Sequence, residues 1–389
     1  MIPYASFLYF GVLLYGTVPT LISRLTGRLW RTWILLATAG MLMVQYWSLQ
    51  SGWGSVVVRE VWVVLGYALL QWLIALAYLT IRSHSSRQWI YYTVLVLVLL
   101  PLVATRVVPL LSPSYQLGFL GISYLTFRSL DVVFSIHDKL ITALPPAQYL
   151  AYLLFFPTIS SGPVDRYRRF AQDWLRQPTR ADFIQDLDGA IHRFFTGFLY
   201  KFILSVLIKR YWLDPVASGT TLLHTVSYMY AYSLYLFFDF AGYSALAIAT
   251  SNLLGIHPPE NFDRPFLARN IRDFWNRWHI SLSWWFRDHV YSRFVFAAIK
   301  GRWFKSKYTA SYVGFFISMG LMGLWHGTAW HYVAYGLYHA ALLVAFDLFE
   351  RWNKQHKAFR EGRPWQVAST LLTFNLVCFG FLIFSGRLG

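Results

Sequence analysis

Acidic side chains are scarce in this sequence, cysteine is almost absent, and the short motifs of several soluble enzyme classes are missing. One cysteine, Cys378, stands among 389 residues, so neither an intramolecular disulfide nor a multi-cysteine metal site can form within the chain. Charged residues make up only 13% of the chain, against roughly 25% in a soluble globular domain. The solvent around most of this chain therefore rewards apolar side chains. No P-loop and no GxGxxG run occurs, which argues against ATP-driven pumping and against dinucleotide binding. No HExxH pattern is present, no GxSxG elbow exists, and no serine stands in a base-activating context. Internal repeats and low-complexity tracts are also missing, and with them the inverted-repeat signature of many secondary transporters.

What is present is apolar and aromatic: 57% of residues are hydrophobic and 20% aromatic, with a mean hydropathy of +0.43. A hydrocarbon core of about 30 Å takes about 20 apolar residues per helix, and roughly ten or eleven stretches here have that length. Long continuous runs such as Tyr91 to Leu111 belong to helices rather than to the alternating strands of a membrane β-barrel. The expected fold class is an all-α polytopic membrane protein with about eleven transmembrane helices. The formal charge of +17 comes from basic residues clustered between apolar runs. That is the pattern of cytoplasmic loops under the positive-inside rule, and nucleic acid is not an expected partner.

Along the chain, a first span from about Tyr4 to Ile22 reads as a retained helix rather than a signal peptide. A basic loop with Arg24, Arg28 and Arg31 follows it. A second span from about Trp33 leads to a glycine-containing turn near Ser51 to Ser55, and a third reaches the basic loop of Arg82, His84 and Arg87. Both basic loops are expected in the cytoplasm and the N-terminus outside. Beyond Pro145 a polar stretch from Asp165 to Asp188 interrupts the pattern, before apolar runs at Phe194 to Ile208 and Val226 to Leu254. From Ile256 to Lys307 aromatic residues interleave with Arg and Lys, as in an interfacial helix or a re-entrant element buried by its neighbours. The block from Tyr312 to Phe349 has room for two spans, with a break expected at Trp325 to Thr328. The basic cluster Arg351, Lys354, Lys357, Arg360 and Arg363 precedes a last span, Trp365 to Phe384. The chain reads as one integral membrane domain: N-terminal helices over 1–115, a motif-bearing core over 116–349, and a basic loop with a final helix over 350–389.

Ionisable residues within apolar stretches cost several kcal/mol on insertion and are candidates for function. His326, in MGLWHGTAW, is flanked by glycines and long uncharged runs; it reads as a general base or acid, or else as a histidine hydrogen-bonded between helices. His279, among Trp275, Trp278, Trp284 and Trp285, is a second candidate that an interfacial anchor would explain equally well. His331 and His339 share a helix face at most and read as structural. Asp239, within LFFDFAGYS, is expected to neutralise Arg272, Arg277 or Arg287, or to hydrogen-bond backbone at a broken helix.

Four segments in order, FDFAGYS at 238–244, PENFDRPF at 259–266, RDFWNRWHISLSWWFRD at 272–288 and MGLWHGTAWHYVAYGLYHA at 322–340, resemble the motif series of the membrane-bound O-acyltransferase (MBOAT) family. The resemblance implies the MBOAT fold, with helices in a ring and re-entrant or interfacial helices around a central tunnel. It implies that His326 and His279 are the catalytic pair, with Trp275, Asn276 and Trp278 lining the substrate path. The WFRDHVY wording and the compact length are similar to the branch that D-alanylates teichoic acids in Gram-positive cell membranes. That branch takes D-alanine from the carrier protein DltC and passes it to lipoteichoic acid or to an extracytoplasmic relay protein. No cofactor would be held permanently, the phosphopantetheine arriving on the carrier. Within Val290 to Lys307, apolar Val295, Phe296 and Ile299 beside basic Arg293 and Arg302 suit docking of an acidic carrier, or equally anchorage on anionic membrane lipid. The alternatives are a polysaccharide O-acetyltransferase of the same family and a transporter or channel with His326 as proton relay.

Overall fold

A computed structural model describes residues 2–26, 30–46, 56–112, 118–177, 179–359 and 362–388. Arg28, Arg360 and the turn expected near Ser51 to Ser55 lie outside the described residues. Among those described the chain is helical, with one isolated β-bridge between Phe262 and Trp278. Seven helical stretches are long and apolar enough to cross a membrane, and their outward faces carry residues such as Phe7, Trp62, Val96 and Leu371. The chain is a multi-pass membrane protein. It divides into two compact units, residues 1–197 with 243–259, and residues 198–242 with 260–389.

The first unit holds α1 (Phe7–Thr26), α2 (Trp30–Gln45), α3 (Val56–His84), α4 (Gln88–Leu111), α5 (Ile122–His137), α6 (Pro146–Leu154), α7 (Tyr167–Leu175) and nearly all of α8 (Arg180–Phe198). Two buried arginines organise it. Helix α6 is only nine residues long, and the last carbonyls of any helix lack intrahelical partners. Arg128, from α5, donates to the carbonyls of Tyr152 and Leu153 at 3.0 and 2.9 Å and to that of Thr158 at 2.8 Å. Arg24 does the same for residues 252 and 253: its guanidinium donates to the carbonyls of Asn252 and Leu253 at 3.0 and 2.9 Å. It also pairs with Asp186 at 2.8 Å. Arg24 is therefore not the loop cation expected from the sequence. Helix α1 runs on to Thr26, and its last turn points Arg24 inward, where it is 2% exposed.

His257 completes this corner by bridging two carboxylates, with Nε2 2.8 Å from Asp186 and Nδ1 3.4 Å from Asp173. Both ring nitrogens must carry protons to do so. Hydrogen bonds to Asp173 and then Asp186 raise the imidazole from the ordinary 6.5 to about 9, against the effect of partial burial.

The second unit contains α9 (Ser205–Ile208), α10 (Asp214–Ala217), the first part of α11 (Leu222–Leu253), α12 (Ile271–Trp275), α13 (Ile280–Phe286), α14 (Ser292–Lys300), α15 (Lys307–His326), α16 (Trp330–His356) and α17 (Arg363–Phe384). The expected interfacial segment is a chain of short helices, and the expected break falls between His326 and Trp330. Cys378 packs with Met229 and Leu382 in the core. Asp239 does not pair with the arginines expected for it: Lys201 donates to its Oδ1 at 2.6 Å. The arginines have nearer acids. Arg272 reaches Asp347 and Glu350, Arg277 reaches Asp273, and Arg287 reaches Asp288.

The His257 bridge makes a pH prediction. A group whose folded-state pKa is raised gives its full stabilisation below the unfolded value of about 6.5 and loses it as pH climbs through about 9. The melting temperature of the purified protein should fall between pH 6.5 and 9.5, and His257→Gln should flatten that decline. Parallel curves for the two proteins would contradict the assignment.

Candidate active site

In the second unit the two candidate histidines stand where helices stop or start. Asn270 caps α12, its side chain accepting from the Asp273 amide at 2.8 Å. Five residues later the helix ends, and the chain turns back through Asn276 and Arg277. The strand-like stretch around Phe262 fixes that turn: the Asp263 amide donates to the Arg277 carbonyl at 3.0 Å, and the Ile280 amide donates to that of Asn261, also at 3.0 Å. The Ser281 hydroxyl donates to Asn261 Oδ1 at 2.6 Å. His279 lies inside this clamp with φ 43° and ψ 50°, a left-handed conformation uncommon for a residue with a Cβ. Holding it there costs about 1–3 kcal/mol, offset by the bonds on either side.

His326 ends α15. Gly327 follows it in extended conformation, and α16 starts three residues on. The two helices approach through glycine: a Cβ at Gly323 would collide with the Tyr332 carbonyl, and one at Gly336 with the Met319 carbonyl. His326 rests edge-on against Phe384 of α17, ring centroids 4.9 Å apart, and His279 against Phe240 of α11 at 4.7 Å. Both imidazoles line one cavity of about 60 Å³, walled by Phe240, Trp275, Trp278, Met322, Tyr335 and Phe381. No carboxylate is among the described residues of that wall. Nor do three potential metal ligands converge anywhere among the described residues.

A second cavity of about 410 Å³ adjoins the first, sharing Trp275 and Met322 with it, and is lined further by Arg272, Asn276, Trp284, Arg287 and Asp347. The residues expected to line the substrate path thus separate: Trp278 faces the small cavity, Asn276 the large one, and Trp275 both. His279 Nε2 and Trp275 Nε1 are buried with no hydrogen-bond partner among the described residues. An unsatisfied buried polar atom costs about 1–3 kcal/mol, so both atoms suit a ligand that brings its own polar groups.

Of the residues expected to dock a partner, Phe296 is 71% exposed, and Ile299 and Arg302 are exposed as well, whereas Val295 is half-buried against Gly314 and Arg293 is half-buried. Trp303, exposed beside them, escaped the sequence reading although it continues the same basic aromatic pattern. Tyr335 and Phe240 were missed in the wall of the small cavity. Both lie inside motif segments, and nothing but their aromatic character marks them.

The family described as MBOAT, membrane-bound O-acyltransferase family, matches residues 13–385. A teichoic acid D-alanyltransferase of Bacillus subtilis (strain 168) is 40% identical, over 100% of this chain and 98% of the relative. One from Lacticaseibacillus rhamnosus is 42% identical over 84% of each chain. A probable alginate O-acetylase of Pseudomonas aeruginosa is 29% identical over 91% of this chain and 64% of its own.

The glycine contacts carry a prediction. Gly336→Ala forces α15 and α16 apart at the level of the site and should destabilise the purified protein by about 1–3 kcal/mol, the usual cost of overpacking. Gly40→Ala, at a position where a Cβ meets nothing, should leave the melting temperature close to wild type.

Proposed function

The chain belongs to the membrane-bound O-acyltransferase family, and from that premise we propose that it transfers D-alanine from a thioester to hydroxyls of teichoic acid in the cell wall. The observation that carries the reading is the pair of imidazoles, His279 and His326, on one apolar cavity reached beside a larger one. The donor is a D-alanyl thioester on the phosphopantetheine arm of the carrier protein DltC. The arm occupies the larger cavity and sets the thioester carbon beside the imidazoles. The hydroxyl oxygen of the acceptor attacks that carbon while its proton passes to His326, a step worth about 10²–10⁴-fold in rate for a positioned base. A C–O bond forms and the C–S bond breaks. The thiolate leaves with the carrier and takes the proton back from His326. His279 positions the donor or stabilises the oxyanion, and Trp275, Asn276 and Trp278 hold the arm and the acyl group. The acceptor is lipoteichoic acid itself or an extracytoplasmic relay protein.

Carrier docking falls to the exposed face of α14 and its extension, Phe296, Ile299 and Trp303, rimmed by exposed Arg302, with Arg293 half-buried beside them. Apolar side chains supply affinity there, and the cations steer an acidic partner.

Two experiments test these assignments. His326→Ala should abolish D-alanine ester formation on lipoteichoic acid while the protein keeps its membrane abundance and melting temperature; His279→Ala should lower esterification and also cost some stability. Wild-type ester content in cells carrying His326→Ala would overturn the catalytic role. Phe296→Asp should remove co-purification of the carrier without affecting insertion, and unchanged carrier recovery would refute the docking face.

A further inference from the structure

A third cavity, of about 450 Å³, lies between α16 and α17 and has no part in the chemistry above. Its axis follows the two helices. Along α16 and α17 one end is polar, with Asn353 and Gln366, and the other is apolar, with Leu342, Leu372 and Leu376; Arg269, from the segment before α12, lines the cavity as well. From Asn353 to Leu342 the cavity runs about 16 Å at 1.5 Å per residue. Both walls are candidate membrane spans, so the cavity follows the bilayer normal from an interface inward.

Aromatic rings gather at the polar end. Phe349, Phe359 and Trp365 pack with centroids 4.5 to 6.0 Å apart, and Asn353 pins the adjoining loop by accepting from the Phe359 amide at 2.8 Å. Such rings sit at headgroup depth. The charge there is positive. Glu350 is the one carboxylate in the wall among the described residues, and Arg272 and Lys354 already neutralise it. Arg269 is exposed at the cavity and its guanidinium has no partner among the described residues; Lys357 and Arg363 stand on the same connection between the helices.

We propose that this cavity binds one anionic phospholipid, its phosphodiester on Arg269 and one acyl chain along Leu342, Ala345, Leu372 and Leu376. A cation without a partner among the described residues, a cluster of rings at one end and an apolar slot running from it, all on one cavity wall, match the parts of such a lipid. A zwitterionic lipid of equal chain length would fill the slot equally well and bring the same phosphodiester, but Arg269, Lys357 and Arg363 would repel its quaternary ammonium, so the net negative lipid is favoured.

The test uses the purified full chain in detergent, with phosphatidylglycerol or phosphatidylcholine added, bound lipid counted by native mass spectrometry and the melting temperature followed. Wild type should retain one phosphatidylglycerol per chain and prefer it over phosphatidylcholine by roughly fivefold, the worth of about one basic residue at an anionic headgroup. Arg269→Gln should erase that preference, and Ala345→Trp, which fills the slot, should abolish retention of both lipids. Equal retention of the two lipids by wild type overturns the proposal. So does a preference that survives Arg269→Gln, which decides the matter even if Ala345→Trp does not fold.

Discussion

A helix that stops inside a membrane protein leaves carbonyl groups without partners, and no water is at hand to take them. This chain breaks its helices repeatedly, and it satisfies the broken ends with side chains buried for the purpose. Arg128 covers the end of α6 and Arg24 covers the end of α11, each spreading one guanidinium over two consecutive carbonyls. The positive charge also opposes the negative end of each helix dipole. An arginine suits the task because its planar fork donates in several directions at once. Asp186 neutralises Arg24, and His257 ties Asp186 to Asp173 and the loop after α11. The pairing of Arg24 with Asp186, and through it the His257 bridge, is thus a consequence of irregular backbone.

The same constraint, met differently, makes the site. In the second unit the interruptions are clamped by backbone pairing and by the side chain of Asn261, which hold His279 in a conformation it would otherwise leave. The end of α15 leaves His326 at the close of a helix, beside rings from α16 and α17. Helix ends are where side chains gain freedom of approach while the scaffold behind them stays rigid. Glycines 323 and 336 keep α15 against α16, so His326 is positioned by packing.

His326 was legible from sequence alone, because an ionisable residue in the middle of uncharged runs has few reasons to be there. His279 was legible only through motif wording; its flanking tryptophans and arginines fit an interfacial anchor equally well. The break after His326 followed from the length of the apolar block; the stretch 256–307 read as one interfacial helix or a re-entrant element, and its division into three short helices did not show in the sequence. Other features depended on distance in the sequence. Nothing local separates Arg24 from its basic neighbours, since its partner lies 162 residues away. Asp239 finds Lys201, from 38 residues earlier, in preference to the arginines of the following motifs, which are already paired. Val295 belongs to the exposed apolar group by character, yet Gly314 offers it a place to pack.

The absence of a carboxylate among the described wall residues of the small cavity bears on which donor the site can use. A buried acid would orient an imidazole and stabilise its charged form, as in hydrolase triads, but in an apolar wall it would also need a partner or lose its charge. Without it, the histidine has less power to drive out a poor leaving group. A thiol has a pKa near 8.5, far below that of an alcohol, so a thioester needs little protonation of its leaving sulfur before the C–S bond breaks. The demand that remains is removal of the acceptor hydroxyl proton, which one neutral imidazole can meet. A thioester donor therefore suits the proposed chemistry of the two histidines: the imidazolium formed on His326 is acid enough for a departing sulfur, with no carboxylate needed to raise its basicity beforehand.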